Sequence, residues 1–151
     1  MNDIKQYLRD RLATFQRRIV ELEQESRRRE DESQAARLAL YNGIFEAVDA
    51  LSSLAASIER RGDELGRSGK RLAGNVQAIR RKLLRTLEEQ HIVELSVTAG
   101  KATLEACTVV ETRPAAELPN TTILNVVRPG YVDQARNRIL RKAEVITVRN
   151  Q

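Results

Sequence analysis

The stretch RPGYVDQARNRILRKAEV, residues 128–145, decides how the end of this chain folds. It opens with a Pro-Gly pair, continues with a tyrosine that we expect to be exposed, and holds five basic residues before its final apolar positions. Gly130 is expected to supply the permissive dihedral angles of a turn. The basic residues fit a nucleic-acid patch, a solvated loop, or part of a surface that binds another protein.

The region around this stretch has the period of β-strands. After His91, apolar residues alternate with polar ones from Val93 to Val97, and a turn is expected at residues 99–101. Further runs rich in β-branched residues follow, separated by the pairs Pro119-Asn120 and Pro129-Gly130: LEACTVV, TILNVV and AEVITV. The sequence predicts a small, mostly antiparallel β-domain of at least four strands over residues 91–151.

The beginning of the chain has the pattern of a long helix. Residues 3–40 contain no proline and no glycine, and their apolar residues recur at spacings of three and four. A narrow apolar stripe on a highly charged helix favours pairing with a second helix. We therefore expect residues 1–40 to form a dimerising helix whose contacts are Ile4, Leu8, Leu12, Phe15, Ile19 and Leu22.

Residues 41–90 carry two further amphipathic patterns, at about 41–58 and 70–90. Gly62, Gly66 and Gly69 are expected to break the chain between them. Two such helices predict a helical hairpin, and two hairpins would form a four-helix bundle in a dimer. The expected bundle contacts are Ile44, Val48, Leu51, Val76, Ile79 and Leu83. The fold class is therefore α+β.

The charge of the chain is positive but broadly distributed. The chain has 26 Lys/Arg and 21 Asp/Glu, a net charge of +5, and each third of the chain contains both signs. We find no unbalanced basic stripe of the kind that phosphate binding favours, and only 3% of residues are aromatic. The sequence thus argues against nucleic-acid binding and leaves open whether the net charge has a role.

The residue inventory argues against an enzyme. His91 is the only histidine and Cys107 the only cysteine, so a histidine metal cluster or a Ser-His-Asp triad cannot be assembled. Cys107 lies in an apolar run and is predicted to be a buried core residue. We expect no catalytic residue, no cofactor and no metal. With neither a membrane-length apolar segment nor an export signal, the chain is predicted to be cytoplasmic, with no membrane partner.

Several short motifs, in this order, resemble the GrpE family of nucleotide exchange factors for DnaK-type chaperones. LYNGIFEAVDAL, residues 40–51, resembles a family helix and keeps Asn42, Asp49 and Leu51, while LLRTLEEQHIVEL, residues 83–95, resembles the end of the hairpin. Residues 119–123 are similar to the family's Pro-Gly-Thr-Val strand entry. The closing motif of the family corresponds to Gly130, Tyr131, Arg138, Arg141, Ala143 and Val145.

The resemblance implies a function without chemistry on the nucleotide. GrpE-like proteins bind the ATPase domain of the chaperone and hold open the lobe that clamps ADP, so that ADP leaves. The family's partner contacts fall on Val127, Arg138 and Thr147, while Gly130 and Tyr131 are expected to shape the turn more than to touch the partner. Alternatively, Arg138 and Arg141 only flank a strand exposed to water.

The chain also departs from the family pattern. The family's Phe-Asp-Pro-x-x-His motif should fall between Gly100 and Glu105, where only KATL is found. The loop between Tyr131 and Arg138 is two residues longer than usual. A dimeric coiled-coil scaffold or adaptor that keeps the GrpE fold, and that lacks exchange activity or serves a specialised chaperone paralogue, therefore remains the alternative. The sequence does not identify the chaperone.

Overall fold

The structure is a computed structural model that describes residues 2–97, 102–103 and 105–150. Two helices precede six described strands: α1 (Asn2–Arg60), α2 (Gly62–Glu89), β1 (Ile92–Glu94), β2 (Cys107–Arg113), β3 (Ile123–Arg128), β4 (Tyr131–Asp133), β5 (Arg138–Arg141) and β6 (Ala143–Val148). The chain divides into two units, residues 1–43 and 44–151. The turn predicted at residues 99–101 lies outside the described residues.

One continuous helix stands where the sequence predicted two. α1 runs through residue 40 and through Gly43 without interruption, so the predicted helix boundary there is wrong. A mid-helix glycine costs only about 1 kcal/mol relative to alanine, and helix-forming residues surround this one. The division of the chain into domains at residue 40 stays a prediction.

The break between the two helices lies at residues 61–66. α1 ends at Arg60 and α2 begins at Gly62, earlier than predicted, but Gly66 interrupts α2 with φ 54° and ψ −150°. This left-handed region suits glycine, which has no Cβ to clash with the backbone. Gly66 is thus the one of the three predicted breakers whose backbone departs from the helix.

The C-terminal part of α1 packs against α2 as a helical hairpin, as predicted. Ala55, Ile58 and Val76 form its buried core, with Leu51 and Ala73 packed against them. Burial of these apolar side chains is the main force that holds two such helices together. The bundle of two hairpins stays a prediction.

Two of the predicted dimer contacts are instead part of the core of a single chain. Val48 and Val76 are 0% and 4% exposed, so they offer no surface to a second chain. Val76 packs against Ala55 and Ile58 of α1. Ile79 is 53% exposed, while Ile44, Leu51 and Leu83 are half-buried. All six residues of the α1 stripe remain exposed in the single chain.

The strands form two three-stranded sheets. In one, β4 lies between β1 and β5, and both pairings are antiparallel. In the other, β6 lies between β2 and β3, parallel to β2 and antiparallel to β3. The prediction of a mostly antiparallel β-domain is confirmed, although the alternating segment 93–97 contributes only the short strand β1.

The core of the second sheet is its central strand. Ala143 and Val145 on β6 pack with Cys107 of β2, and the partly buried Val97 and Ile123 complete this cluster. Cys107 is 4% exposed, so the prediction that it is a core residue is confirmed. Residues 145–148 of β6, Val-Ile-Thr-Val, are all buried, as expected of a central strand that is paired on both edges.

Glycine is required at position 130 because a side chain would not fit there, and not because of its dihedral angles. Its φ is not in the left-handed region, so the expected turn conformation is wrong. A Cβ at this position would lie 2.7 Å from the Ala143 nitrogen and 2.8 Å from the Arg141 oxygen. The backbones of β4 and of the β5–β6 junction can approach this closely only because residue 130 has no side chain.

Neither described helix combines the length and the apolar character that crossing a lipid bilayer requires.

We expect Gly130→Ala to destabilise the protein by about 2 kcal/mol, because the new methyl group meets rigid backbone atoms. Chemical denaturation followed by circular dichroism measures the change. Gly43→Ala is the matched control: a Cβ there meets nothing within 4 Å, so the variant should gain up to about 1 kcal/mol. A Gly130→Ala variant as stable as the wild type would show that the close approach is not a constraint.

Candidate partner-binding site

The tyrosine of the opening stretch is buried, contrary to the sequence prediction. Tyr131 is 0% exposed because its ring stacks on Phe45 of α1, with centroids 4.0 Å apart and planes 2° from parallel. Burial raises the pKa of Tyr131 to about 12, so the phenol is neutral at physiological pH. Within the described part of the chain, its hydroxyl has no hydrogen-bond partner. Tyr131 therefore anchors the β-domain to the hairpin.

A charged cluster lies beside this stack, centred on Asp49 of α1. Arg141 donates two parallel hydrogen bonds to the Asp49 carboxylate, Nη1 to Oδ2 at 2.8 Å and Nη2 to Oδ1 at 2.9 Å. Arg128 donates to the same Oδ2 from Nε at 3.0 Å and from Nη2 at 2.9 Å. Bidentate arginine–carboxylate pairs are among the stronger polar contacts in proteins. Asp49 thus joins α1 to β3 and β5.

Arg141 is held in place from several sides. Its guanidinium also donates to the Pro129 oxygen at 2.8 Å and lies 5.3 Å from the Phe45 ring centre and 5.1 Å from that of Tyr131. The alternative in which Arg141 only flanks a strand exposed to water is wrong, since its side chain is 18% exposed and fully engaged. The hydrogen bonds from Arg128 to Asp49 raise the pKa of Arg128, so this guanidinium stays charged too.

A second polar link joins α2 to β1. Arg80 donates from Nε to the Ser52 hydroxyl at 2.9 Å and from Nη2 to the Glu94 carboxylate at 3.3 Å. It therefore ties both arms of the hairpin to the first strand of the β-domain. Together with the Asp49 cluster and the aromatic stack, this link fixes how the β-domain sits on the hairpin.

The turn between β4 and β5 is pinned by Asp133. Its carboxylate accepts a hydrogen bond from the Arg136 backbone nitrogen at 3.1 Å and another from Nη1 of the same residue at 2.9 Å. Burial opposes ionisation, but the hydrogen bonds from Arg136 outweigh it and lower the pKa of Asp133. His91 supports the same turn, because its oxygen accepts from the Gln134 nitrogen at 2.9 Å. The turn leads directly into Arg138.

The structure separates the predicted contact residues. Arg138 opens β5 on the edge of the first sheet, and Val127 lies on β3, an edge strand of the second sheet. Arg138 is exposed, and its guanidinium makes no hydrogen bond or ion pair with any described residue, although its backbone pairs with Asp133. Val127 is 48% exposed. Both side chains are accessible to a partner.

Three other predicted contacts have no accessible surface. Thr147 is 3% exposed because it lies in the central strand, paired with Thr112 on one side and Ile123 on the other. Gly130 and Tyr131 are buried under the hairpin contact described above. These residues therefore shape the β-domain. Thr147 has no exposed side chain with which to contact a partner directly.

Sequence reasoning missed an apolar surface on the edge strands β2 and β3. Val109 and Val126 both pair with Val145, so they lie on the same face of the sheet, and they are 45% and 38% exposed. Val110 and Val127 follow them at the register shifts of the two strands and are also exposed. The signal was the consecutive Val-Val pairs, of which only Val127 was predicted to be a partner contact.

Comparison with known proteins identifies the family of this chain. A search of curated proteins found no match. The model of the GrpE family matches residues 1–149, nearly the whole chain. The order of helices and strands agrees with this family. The chain belongs to the GrpE family.

Proposed function

We propose that this chain is a nucleotide exchange factor that binds the ATPase domain of a DnaK-type chaperone and promotes release of ADP. The observation that carries the proposal is the match of the GrpE family over residues 1–149. Exchange of this kind needs no catalytic residue, because the factor changes a binding equilibrium and not a covalent bond. The proposal accordingly assigns no enzyme activity and no cofactor.

The mechanism is differential binding to two states of the chaperone. A factor that binds the open ATPase domain more tightly than the closed one shifts the equilibrium towards the open state, from which ADP dissociates. By reciprocity, ADP must weaken the binding of the factor by the same ratio. A tenfold loss of ADP affinity requires only about 1.4 kcal/mol of differential binding.

Arg138 is the residue best placed to contact the chaperone. Its guanidinium is exposed and unpaired within the described residues, so it has donors free for a carboxylate or a carbonyl oxygen of the partner. The Asp133 turn holds the start of β5 in position, and the Asp49 cluster holds the end of the same strand. Val127 would add an apolar contact from β3.

One sequence feature favours a second candidate function. Residues 101–104 read KATL and contain none of the family's Phe-Asp-Pro-x-x-His motif. A scaffold or adaptor with the same fold, without exchange activity or dedicated to a specialised chaperone paralogue, would not need that motif. The two functions differ in whether the chain accelerates ADP release.

We further propose that the chain works as a homodimer. Six apolar side chains along α1, from Ile4 to Leu22, are 48% to 66% exposed in the single chain. A stripe of this length at helical spacing is typical of a helix that pairs with another. On the hairpin, Leu72 and Ile79 of α2 are 51% and 53% exposed and would extend the contact. A cytoplasmic location stays a prediction.

We expect this protein to accelerate release of fluorescent ADP from a DnaK-type chaperone of the same organism at least about tenfold, as measured by stopped flow. Arg138→Ala should weaken chaperone binding by about 1–3 kcal/mol and reduce the acceleration accordingly, because a charged hydrogen bond is lost. The fold should be unaffected, since the Arg138 side chain has no partner among the described residues.

The matched control is Arg149→Ala, which removes the same charge from another exposed position of the β-domain. It should bind and act like the wild type. Chaperone binding without any acceleration of ADP release would favour the scaffold function. Normal activity of Arg138→Ala would show that the contact has been assigned to the wrong residue.

For the dimer, we expect sedimentation at micromolar concentration to give twice the monomer mass. The double variant Leu12→Glu and Ile19→Glu should shift the protein to monomer, because two charges would be buried in the apolar seam. Ala13→Glu and Gln24→Glu, on the opposite side of α1, should leave the dimer intact. A wild-type chain that sediments as a monomer would rule out the dimer.

A further inference from the structure

One face of α2 carries six cations, and Glu88 and Glu89 lie on the same arc at the end of the helix. At 3.6 residues per turn, the basic residues on this side of the helix fall within an arc of about 120° and extend over about 27 Å. All of them are exposed: Arg67, Lys70, Arg71, Arg81, Lys82 and Arg85. The two positions between them on the same arc are Gly74 and Ala78. We refer to these eight residues as the basic face.

The basic face lies in the segment that gives the chain its positive charge. Residues 65–87 contain seven Lys/Arg and no Asp/Glu, which leaves 19 Lys/Arg against 21 Asp/Glu in the rest of the chain. The expectation that the excess is spread thinly is therefore wrong. The charges were counted over long stretches of sequence. Such a count adds the acidic residues on either side of this segment, among them Glu88 and Glu89, and so hides its positive charge.

Within the described residues, the six cationic side chains of the basic face form no hydrogen bond and no ion pair. The backbone oxygen of Lys82 accepts a hydrogen bond from the Thr86 hydroxyl at 3.1 Å. Arg80, on another side of α2, is by contrast held by Ser52 and Glu94. The buried Val76 faces α1 from the side of α2 opposite the basic face, so the hairpin contact leaves the basic face open.

The centre of the basic face is open and small. A Cβ at Gly74 would meet nothing within 4 Å, so no neighbour in this chain requires glycine there. A glycine inside a helix costs about 1 kcal/mol relative to alanine. With the exposed Ala78 one turn later, Gly74 leaves a shallow gap between two groups of three cations.

We propose that the basic face binds the phosphate backbone of duplex DNA. Its two groups of cations, residues 67–71 and 81–85, are centred about 20 Å apart along the helix. That spacing spans the major groove, which is about 12 Å wide, so each group can reach the phosphates on one side of it. The small residues between the groups let the helix approach the groove closely.

Two other kinds of partner, a protein and a membrane surface, fit the basic face less well. A protein interface needs apolar or aromatic anchors at its centre, and this face offers only Ala78. A membrane-surface helix needs large apolar side chains beside its cations to insert between the lipids, and the arc has none. Protein–DNA interfaces are polar and strongly positive, as this face is. Binding through phosphates alone is independent of base sequence.

The test is fluorescence anisotropy of a labelled duplex DNA of about 20 base pairs, titrated with the full chain at several salt concentrations. Six phosphate contacts predict a slope of log K against log salt of about −5. The triple variant Arg81→Gln, Lys82→Gln, Arg85→Gln should reduce the slope to about half and weaken binding at least about tenfold at low salt.

The matched control removes the same charge elsewhere: Arg27→Gln, Arg28→Gln, Arg29→Gln on α1, where all three are exposed. It should bind like the wild type, and both variants should keep the helical circular dichroism of the wild type. The proposal is overturned by any of three results: no binding at about 50 mM salt, an equal loss in the control variant, or competition by polyglutamate as strong as by unlabelled duplex. The last result would assign the face to an acidic protein segment.

Discussion

The Asp49 carboxylate is the contact on which the arrangement of the hairpin and the β-domain depends. It receives four hydrogen bonds from two arginines that lie 79 and 92 residues further along the chain. Its side chain is 17% exposed, so the charge is partly removed from water and needs both partners. The stacked rings of Phe45 and Tyr131 shield one side of the cluster. The Arg80 link, the aromatic stack and the contact of α2 with β1 also hold the β-domain on the helices.

The basic residues of the opening stretch divide into two kinds. Arg128 and Arg141 bind Asp49 and hold the β-domain on the helices, and Arg136 holds the turn between β4 and β5 through Asp133. Arg138, between them, is free among the described residues to reach outwards. A partner that binds Arg138 therefore engages a strand whose position the other arginines have already fixed. The backbone of β5 should lose little conformational entropy on binding.

Much of the fold could be predicted from the sequence, because apolar spacing reports directly on helices and strands. The sequence could not show that Gly43 leaves α1 unbroken, since helix stability there comes from the neighbouring residues. Nor could it show that Tyr131 and Thr147 are buried, because that depends on contacts with Phe45 and Thr112 that lie far away in sequence. The pairing of Asp49 with Arg141 left no local signal, and the basic face of α2 appears only when residues 67–85 are placed on one helix.

A double-mutant cycle between Asp49 and Arg141 tests the central claim most directly. The unfolding free energies of the wild type, Asp49→Ala, Arg141→Ala and the double variant would be measured by chemical denaturation. If the Asp49 cluster holds the β-domain to the hairpin, the two residues should couple by about 1.5 kcal/mol or more. The same cycle with Arg138 in place of Arg141 should be additive. Additivity of Asp49 and Arg141 within about 0.5 kcal/mol would contradict the account.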